Sequence, residues 1–167
     1  RNLVCIAPDR KAAESFADSV RSSALDRNRP VQSARWIPLD NPERIAETGC
    51  LYYPSPTISD QAWLRRRHGQ RGWSICGITH TTASDTVMEA IGTFATAPLQ
   101  SWDAVICTSI AVRDMVQTVL DNWQDYLGAR IGFDGPSPAR LQLPVIPLGI
   151  DPETFAHDAH VRGDFRR

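Results

Sequence analysis

The tetrapeptide Thr79-His80-Thr81-Thr82 stands directly behind a small and apolar run, Ser74 to Ile78, and Ser84 follows two residues later. An imidazole titrates near neutral pH, so His80 can give a proton to a bound hydroxyl or take one from it. The hydroxyls around it, with the free N–H groups of a helix start behind them, suit a phosphate or another anion. The plain alternative is a histidine that caps the turn by hydrogen bonding. Thr108-Ser109 ends a second apolar run in the same way. Ser109 is a natural helix N-cap, and capping alone accounts for it. Its functional use is a second set of donors beside the His80 turn. Arg65-Arg66-Arg67-His68 and Arg71 form a basic cluster. Such a cluster can steer a phosphorylated substrate or a polyanion, and a solvated helix face is its commoner use. The chain has no Walker pattern, no GxGxxG and no GxSxG. No HExxH or DxD pair points to a catalytic metal, and no metal or cofactor is expected.

Short strand-like runs alternate with helical patterns and must position these groups. Leu3 to Ala7 reads as a strand, and Asp9 as N-cap of a helix carrying Ala12, Ala13, Phe16, Ala17 and Val20 on one stripe. Ala34 to Leu39 is a second strand, with Pro38 at its end or on an edge. Asn41-Pro42 opens a short helix over 42–47 that Gly49 closes. Cys50 to Tyr53 is a third strand, stopped by Pro54-Ser55-Pro56. The helix over 59–68 takes Ser59 as N-cap and places Ala62 and Trp63 on its buried side. Ser74 to Thr79 is the fourth strand, and Val87, Met88, Ile91, Phe94 and Ala95 then recur at helical spacing up to Pro98. Asp103 to Cys107 is the fifth strand. Met115, Val116, Val119, Leu120, Trp123, Tyr126 and Leu127 make the cleanest amphipathic helix. A polar loop over 132–138 leads to a sixth strand at Leu143 to Pro147.

This alternation predicts an α/β domain with a mostly parallel sheet. Right-handed crossovers send the strands in one direction, so the strand-to-helix turns share one edge, where open α/β sheets take ligands. With 167 residues the chain supports one ordinary domain, here residues 1–150, and 151–167 begin a link. Hydrophobic residues are 42% and charged residues 22%, the balance of a globular protein. A net charge of −1 gives no electrostatic case for nucleic acid or an anionic membrane. Cys5, Cys50, Cys76 and Cys107 form no CxxC pair and read as buried free thiols in a reducing cytoplasm. Both ends read as cut from a longer protein.

SICGITHTTAS (74–84), WDAVICTS (102–109) and LPVIPLGID (143–151) together resemble the N-terminal domain of GT-B glycosyltransferases, nearest the retaining, family-4-like branch. The resemblance spans roughly residues 50 to 155 in order and spacing. It implies one Rossmann-like half of a two-domain enzyme, with transfer of a sugar from a nucleotide-sugar co-substrate to an acceptor. His80 then corresponds to a cleft histidine near the donor sugar, Thr79, Thr81 and Thr82 shape its turn, and Thr108 and Ser109 line the acceptor side. Pro147, Gly149 and Asp151 match a link into a C-terminal Rossmann-like domain, with Gly149 supplying a hinge's backbone freedom. Ala7-Pro8-Asp9 departs from the family's glycine-rich first loop. The implied setting is the cytoplasm, with peripheral membrane contact only for a lipid acceptor, and little turnover by this chain alone. The competing expectation is a non-catalytic Rossmann-like module that binds a ligand or a partner protein.

Overall fold

The computed structural model describes residues 3–132 and 141–150. Asp151, the expected link over 151–167 and the expected loop over 132–138 beyond Gly132 lie outside them. Five parallel strands and four helices alternate: β1 (Leu3–Ala7), α1 (Arg10–Asp26), β2 (Ala34–Pro38), β3 (Cys50–Tyr52), α2 (Ser59–His68), β4 (Ser74–Ile78), α3 (Asp85–Gly92), β5 (Ala104–Ile106) and α4 (Ile110–Ile131). Short 3₁₀ turns occupy Pro42–Glu47 and Thr93–Ala95. The α/β class and the parallel strand direction are as expected, and they are compatible with a Rossmann-like domain.

The local signals act where elementary chemistry places them. Asp9 Oδ1 accepts the Ala12 N–H at 2.8 Å and starts α1. Gly49 adopts φ +73° behind the first 3₁₀ turn, a region that an L side chain enters only with strain. Ser84 and Ser109 cap α3 and α4 by accepting from the N–H groups of Val87 and Val112.

The sheet departs from a single six-stranded plan. β1 pairs β2 over five residues, while β3, β4 and β5 form a separate ladder in that order. Ile6 of β1 reaches the main core through its side chain instead. The expected sixth strand is reduced to two isolated parallel bridges, Ala104 with Gln142 and Cys107 with Val145. Pro144 lies between them and lacks an N–H, so it accepts from Cys107 N at 2.8 Å and gives nothing back. The core is built between β4, β5 and the three later helices. Ile58, Ile75, Ile91, Phe94, Val105 and Val116 are fully buried there, each contributing about 1.5–3 kcal/mol on burial.

One buried ion pair organises the start of this layer. Arg65 and Asp103 are both at 0% side-chain exposure. Nη1 and Nη2 of Arg65 donate to the two carboxylate oxygens at 2.6 and 2.7 Å. The same carboxylate accepts the Ile75 N–H at 2.9 Å and the Gln100 N–H at 2.8 Å. Arg65 Nη1 also donates to the Trp73 carbonyl at 2.9 Å. α2, the start of β4 and the loop before β5 are thereby held by one carboxylate and one guanidinium.

Three expectations for the 59–68 helix are overturned, two of them by this pair. Arg65 does not belong to a solvated basic face, because Asp103 draws it inward. The helix therefore buries Ser59, Ala62 and Arg65, at successive three-residue steps, and turns Trp63 out to 46% exposure. Ser59 is not the N-cap either. Ile58 is already in helical geometry at that position, and the Ser59 hydroxyl pairs with Thr93 Oγ1 at 2.7 Å.

The thiols are free, and they are not uniformly buried: Cys107 is buried, Cys5 and Cys76 are half-buried, and Cys50 is exposed at the sheet margin. Burial pushes the Cys5 thiol up. Burial, and then the neighbouring Cys50, raises Cys76. Burial raises Cys107, with Arg113 pulling the other way. A thiol held above its ordinary value is poorly ionised and slow to react at neutral pH.

Two outcomes follow from this packing. Asp103→Ala leaves the Arg65 guanidinium charged and unpaired in the interior, and denaturant unfolding should show a loss of about 3–5 kcal/mol. A joint Arg65→Met, Asp103→Leu variant should lose clearly less than the two single losses added together. Under native conditions at neutral pH, iodoacetamide should label Cys50 first. Mass spectrometry should find Cys5, Cys76 and Cys107 labelled at comparable rates only after denaturation.

Candidate functional site

Because β3, β4 and β5 are parallel, their C-terminal ends lie on one side of their ladder. The Arg65–Asp103 pair holds the opposite side of the β3–β5 ladder, where the strands start. At the polar edge the sequence-predicted groups gather from three consecutive strand ends. β4 passes into Thr79 to Ser84, β5 passes into Cys107 to Ser109, and the 141–150 segment leaves beside β5. Ile78 pairs Ile106 in the ladder, so two residues further along each strand stand His80 and Thr108.

Thr79 is fully buried, and both its N–H and its hydroxyl donate to the Ile106 carbonyl, at 3.0 and 3.1 Å. Its hydroxyl closes the gap between β4 and β5 and fixes where the next residue emerges. That residue, His80, is exposed, and its imidazole makes no hydrogen bond among the described residues. Capping does not account for it, because the helix behind it is capped by Ser84 Oγ, which accepts from Val87 N at 3.3 Å. Thr81 is exposed, and its hydroxyl accepts from Ala83 N at 3.4 Å. Thr82 is half-buried on the same turn.

On the neighbouring strand end Thr108 is half-buried, and the exposed Ser109 accepts from Val112 N at 3.2 Å. The hydroxyl of Ser109 is therefore engaged as the cap that its position predicts. α4 has no acidic residue in its first turn, and the Arg113 there is paired with Asp114 at 2.9 Å. The N–H groups at the start of this 22-residue helix therefore face no carboxylate of that turn. α3 differs, since Asp85 lies in its first turn and accepts from Thr86 N at 2.8 Å. Of the two helix starts, α4 is the one that favours an anion.

Ile146 N donates to the Cys107 carbonyl at 2.9 Å, which brings the 146–150 segment to this edge. Pro147, Leu148 and Gly149 are exposed there. Gly149 is not among the described glycines with a left-handed φ, and a Cβ added to it would meet nothing within 4 Å.

Ser55, in a strand-to-helix turn expected at this edge, is there, and Thr57, which the sequence did not mark, joins it. The loop behind β3 folds back across β4, and the Ser55 carbonyl accepts from Ile78 N at 3.4 Å. Ser55 Oγ pairs with Thr57 Oγ1 at 2.8 Å and accepts the Thr57 N–H at 3.2 Å. Gly77 makes this approach possible, because a Cβ there would stand 2.7 Å from Ile58 Cγ2 and 2.8 Å from the Ser55 oxygen. The lone glycine inside an apolar strand was the available signal.

Two grooves against α1, of about 420 and 300 Å³, are lined by none of these residues. Among the described residues no group of three or more His, Cys, Asp or Glu side chains could hold a metal ion. Among the described residues no helix is long and apolar enough to cross a membrane. Compared with known proteins, the chain matches no family model, no curated protein and no solved structure.

Proposed function

We propose that this chain is the acceptor-side, Rossmann-like half of a cytoplasmic GT-B glycosyltransferase of the retaining, family-4-like kind. The observation that carries the reading is His80: an exposed imidazole without a partner among the described residues, delivered to the strand-end edge by a buried threonine. It stands beside Thr108 and next to the start of α4, whose first turn carries no carboxylate. The motif order from SICGITHTTAS to LPVIPLGID supports it further.

In this reading a second domain, through the 147–151 link, supplies the nucleotide site, and closure of the two halves positions the reactants and removes water. The bond between the anomeric carbon and the leaving phosphate oxygen breaks, and its electron pair stays on the nucleotide diphosphate. The acceptor hydroxyl oxygen bonds to the same carbon, and its proton passes to the departing phosphate oxygen. His80 hydrogen-bonds a donor-sugar hydroxyl beside the reacting carbon and fixes its orientation. The start of α4 favours the negative charge that develops. No protein nucleophile takes part, and no metal or other cofactor is required in this scheme.

Thr79 and Ser109 spend their hydroxyls on the Ile106 carbonyl and the Val112 N–H, which favours a second reading, a non-catalytic module that binds a ligand or a partner protein there. The two readings separate in one assay of the full-length parent against a panel of nucleotide sugars. Under the first, transfer is measurable, and His80→Ala lowers kcat by about 100-fold or more while the fold, followed by circular dichroism, is unchanged. Undiminished transfer by the folded variant removes His80 from the mechanism. Absence of donor binding and transfer across the panel removes the enzyme and leaves the binding module.

A further inference from the structure

α2 presents a second surface, away from the strand-end edge and independent of any reading of it. The helix starts behind β3 and ends before β4, so its C-terminal turn lies at the side where the strands begin. Arg65 is withdrawn into the core by Asp103, and what remains outside is concentrated. Arg66, Arg67 and His68 in the last turn, and Arg71 just beyond it, are all exposed. None of the four makes an ion pair among the described residues. The acid of this helix, Asp60, is in its first turn, at the far end from the cations.

Trp63 stands among them at 46% exposure, with the guanidinium of Arg66 5.5 Å above its ring. Arg66 and Arg67 follow Trp63 by three and four residues, so all three share one outward face. An indole at this position is costly to leave in water, and the ion pair beneath fixes the helix rotation that puts it there.

We infer that this face docks the chain on an anionic phospholipid surface. Charge complementarity selects a polyanion, since the cations have no acid to satisfy them. The shape selects a plane over a strand. The cations sit on the convex outer side of one helix, whereas single-stranded nucleic acid is tracked by a charged groove with several stacking aromatics. A half-exposed tryptophan flanked by arginines is the side-chain set that settles at headgroup level, with the ring among the ester groups and the guanidiniums on phosphates. The net charge of −1 for the whole chain leaves the attraction local to this patch and orients the rest of the molecule away from the membrane. Binding of this kind is peripheral, reversible and weakened by salt.

The test is co-sedimentation of the chain with vesicles of phosphatidylcholine alone or mixed with phosphatidylglycerol, at low and physiological salt. The expected result is retention on the anionic vesicles that falls as salt rises. The joint Arg66→Gln, Arg67→Gln variant should bind about 30-fold more weakly, each cation near an anionic leaflet being worth about fivefold. Both side chains are exposed, so circular dichroism of the variant should match the parent. Brominated lipid should quench part of the tryptophan emission in the parent and markedly less after Trp63→Phe. Equal retention on neutral vesicles, or undiminished retention of the arginine variant, overturns the inference. So does preferential capture by a single-stranded oligonucleotide with no binding to either vesicle, which would assign the patch to nucleic acid.

Discussion

A guanidinium and a carboxylate without exposed surface hold the layer on which everything else is mounted. Arg65 and Asp103 are far apart in the chain, and each would be expensive to bury alone. Together they satisfy one another through two short bonds, and the Asp103 carboxylate also takes the N–H groups of Ile75 and Gln100. The pair sets the rotation of α2, the start of β4 and the approach to β5. A side effect is the outward turn of Trp63, since a helix that buries position 65 cannot also bury position 63.

From that anchored side the strands run in parallel to the opposite one, where the ladder is finished by a polar side chain. Thr79 closes the last gap between β4 and β5 with its N–H and its hydroxyl, and both go to one carbonyl. The residue after it has nowhere to go but outward. Ser84 and Ser109 then start the next two helices, so their N-termini face the same edge. The placement of His80 is thus a consequence of strand direction, one buried hydroxyl and two serine caps.

Much of this was legible because it is local. Asp9, Ser84 and Ser109 each cap a helix within three residues of themselves, and Gly49 takes its left-handed φ with no distant partner. The positions of β1 to β5 followed from short apolar runs, with ends within one residue of those expected. Other features were not legible because they depend on pairs that are distant in sequence. The Arg65 to His68 run looks uniformly charged and solvated, and nothing within it announces that position 65 has a carboxylate waiting 38 residues later. Ser59 reads as a cap, but its hydroxyl goes to Thr93 once α2 and α3 are packed. Pro144 interrupts the sixth strand only because β5 lies beside it and asks for an N–H it does not have.

The sequence by itself determined the alternation of strands and helices, the caps at Asp9 and Ser109, and the presence of a histidine where a strand becomes a helix. Such features rest on backbone chemistry over a few residues. Only the tertiary structure decided which arginine is core and which are surface, which hydroxyls are spent on structure, and that Thr57 reaches the edge with Ser55 and His80. Those outcomes depend on which groups meet across the fold. For a charged or polar side chain, a partner met at that distance decides between burial and water.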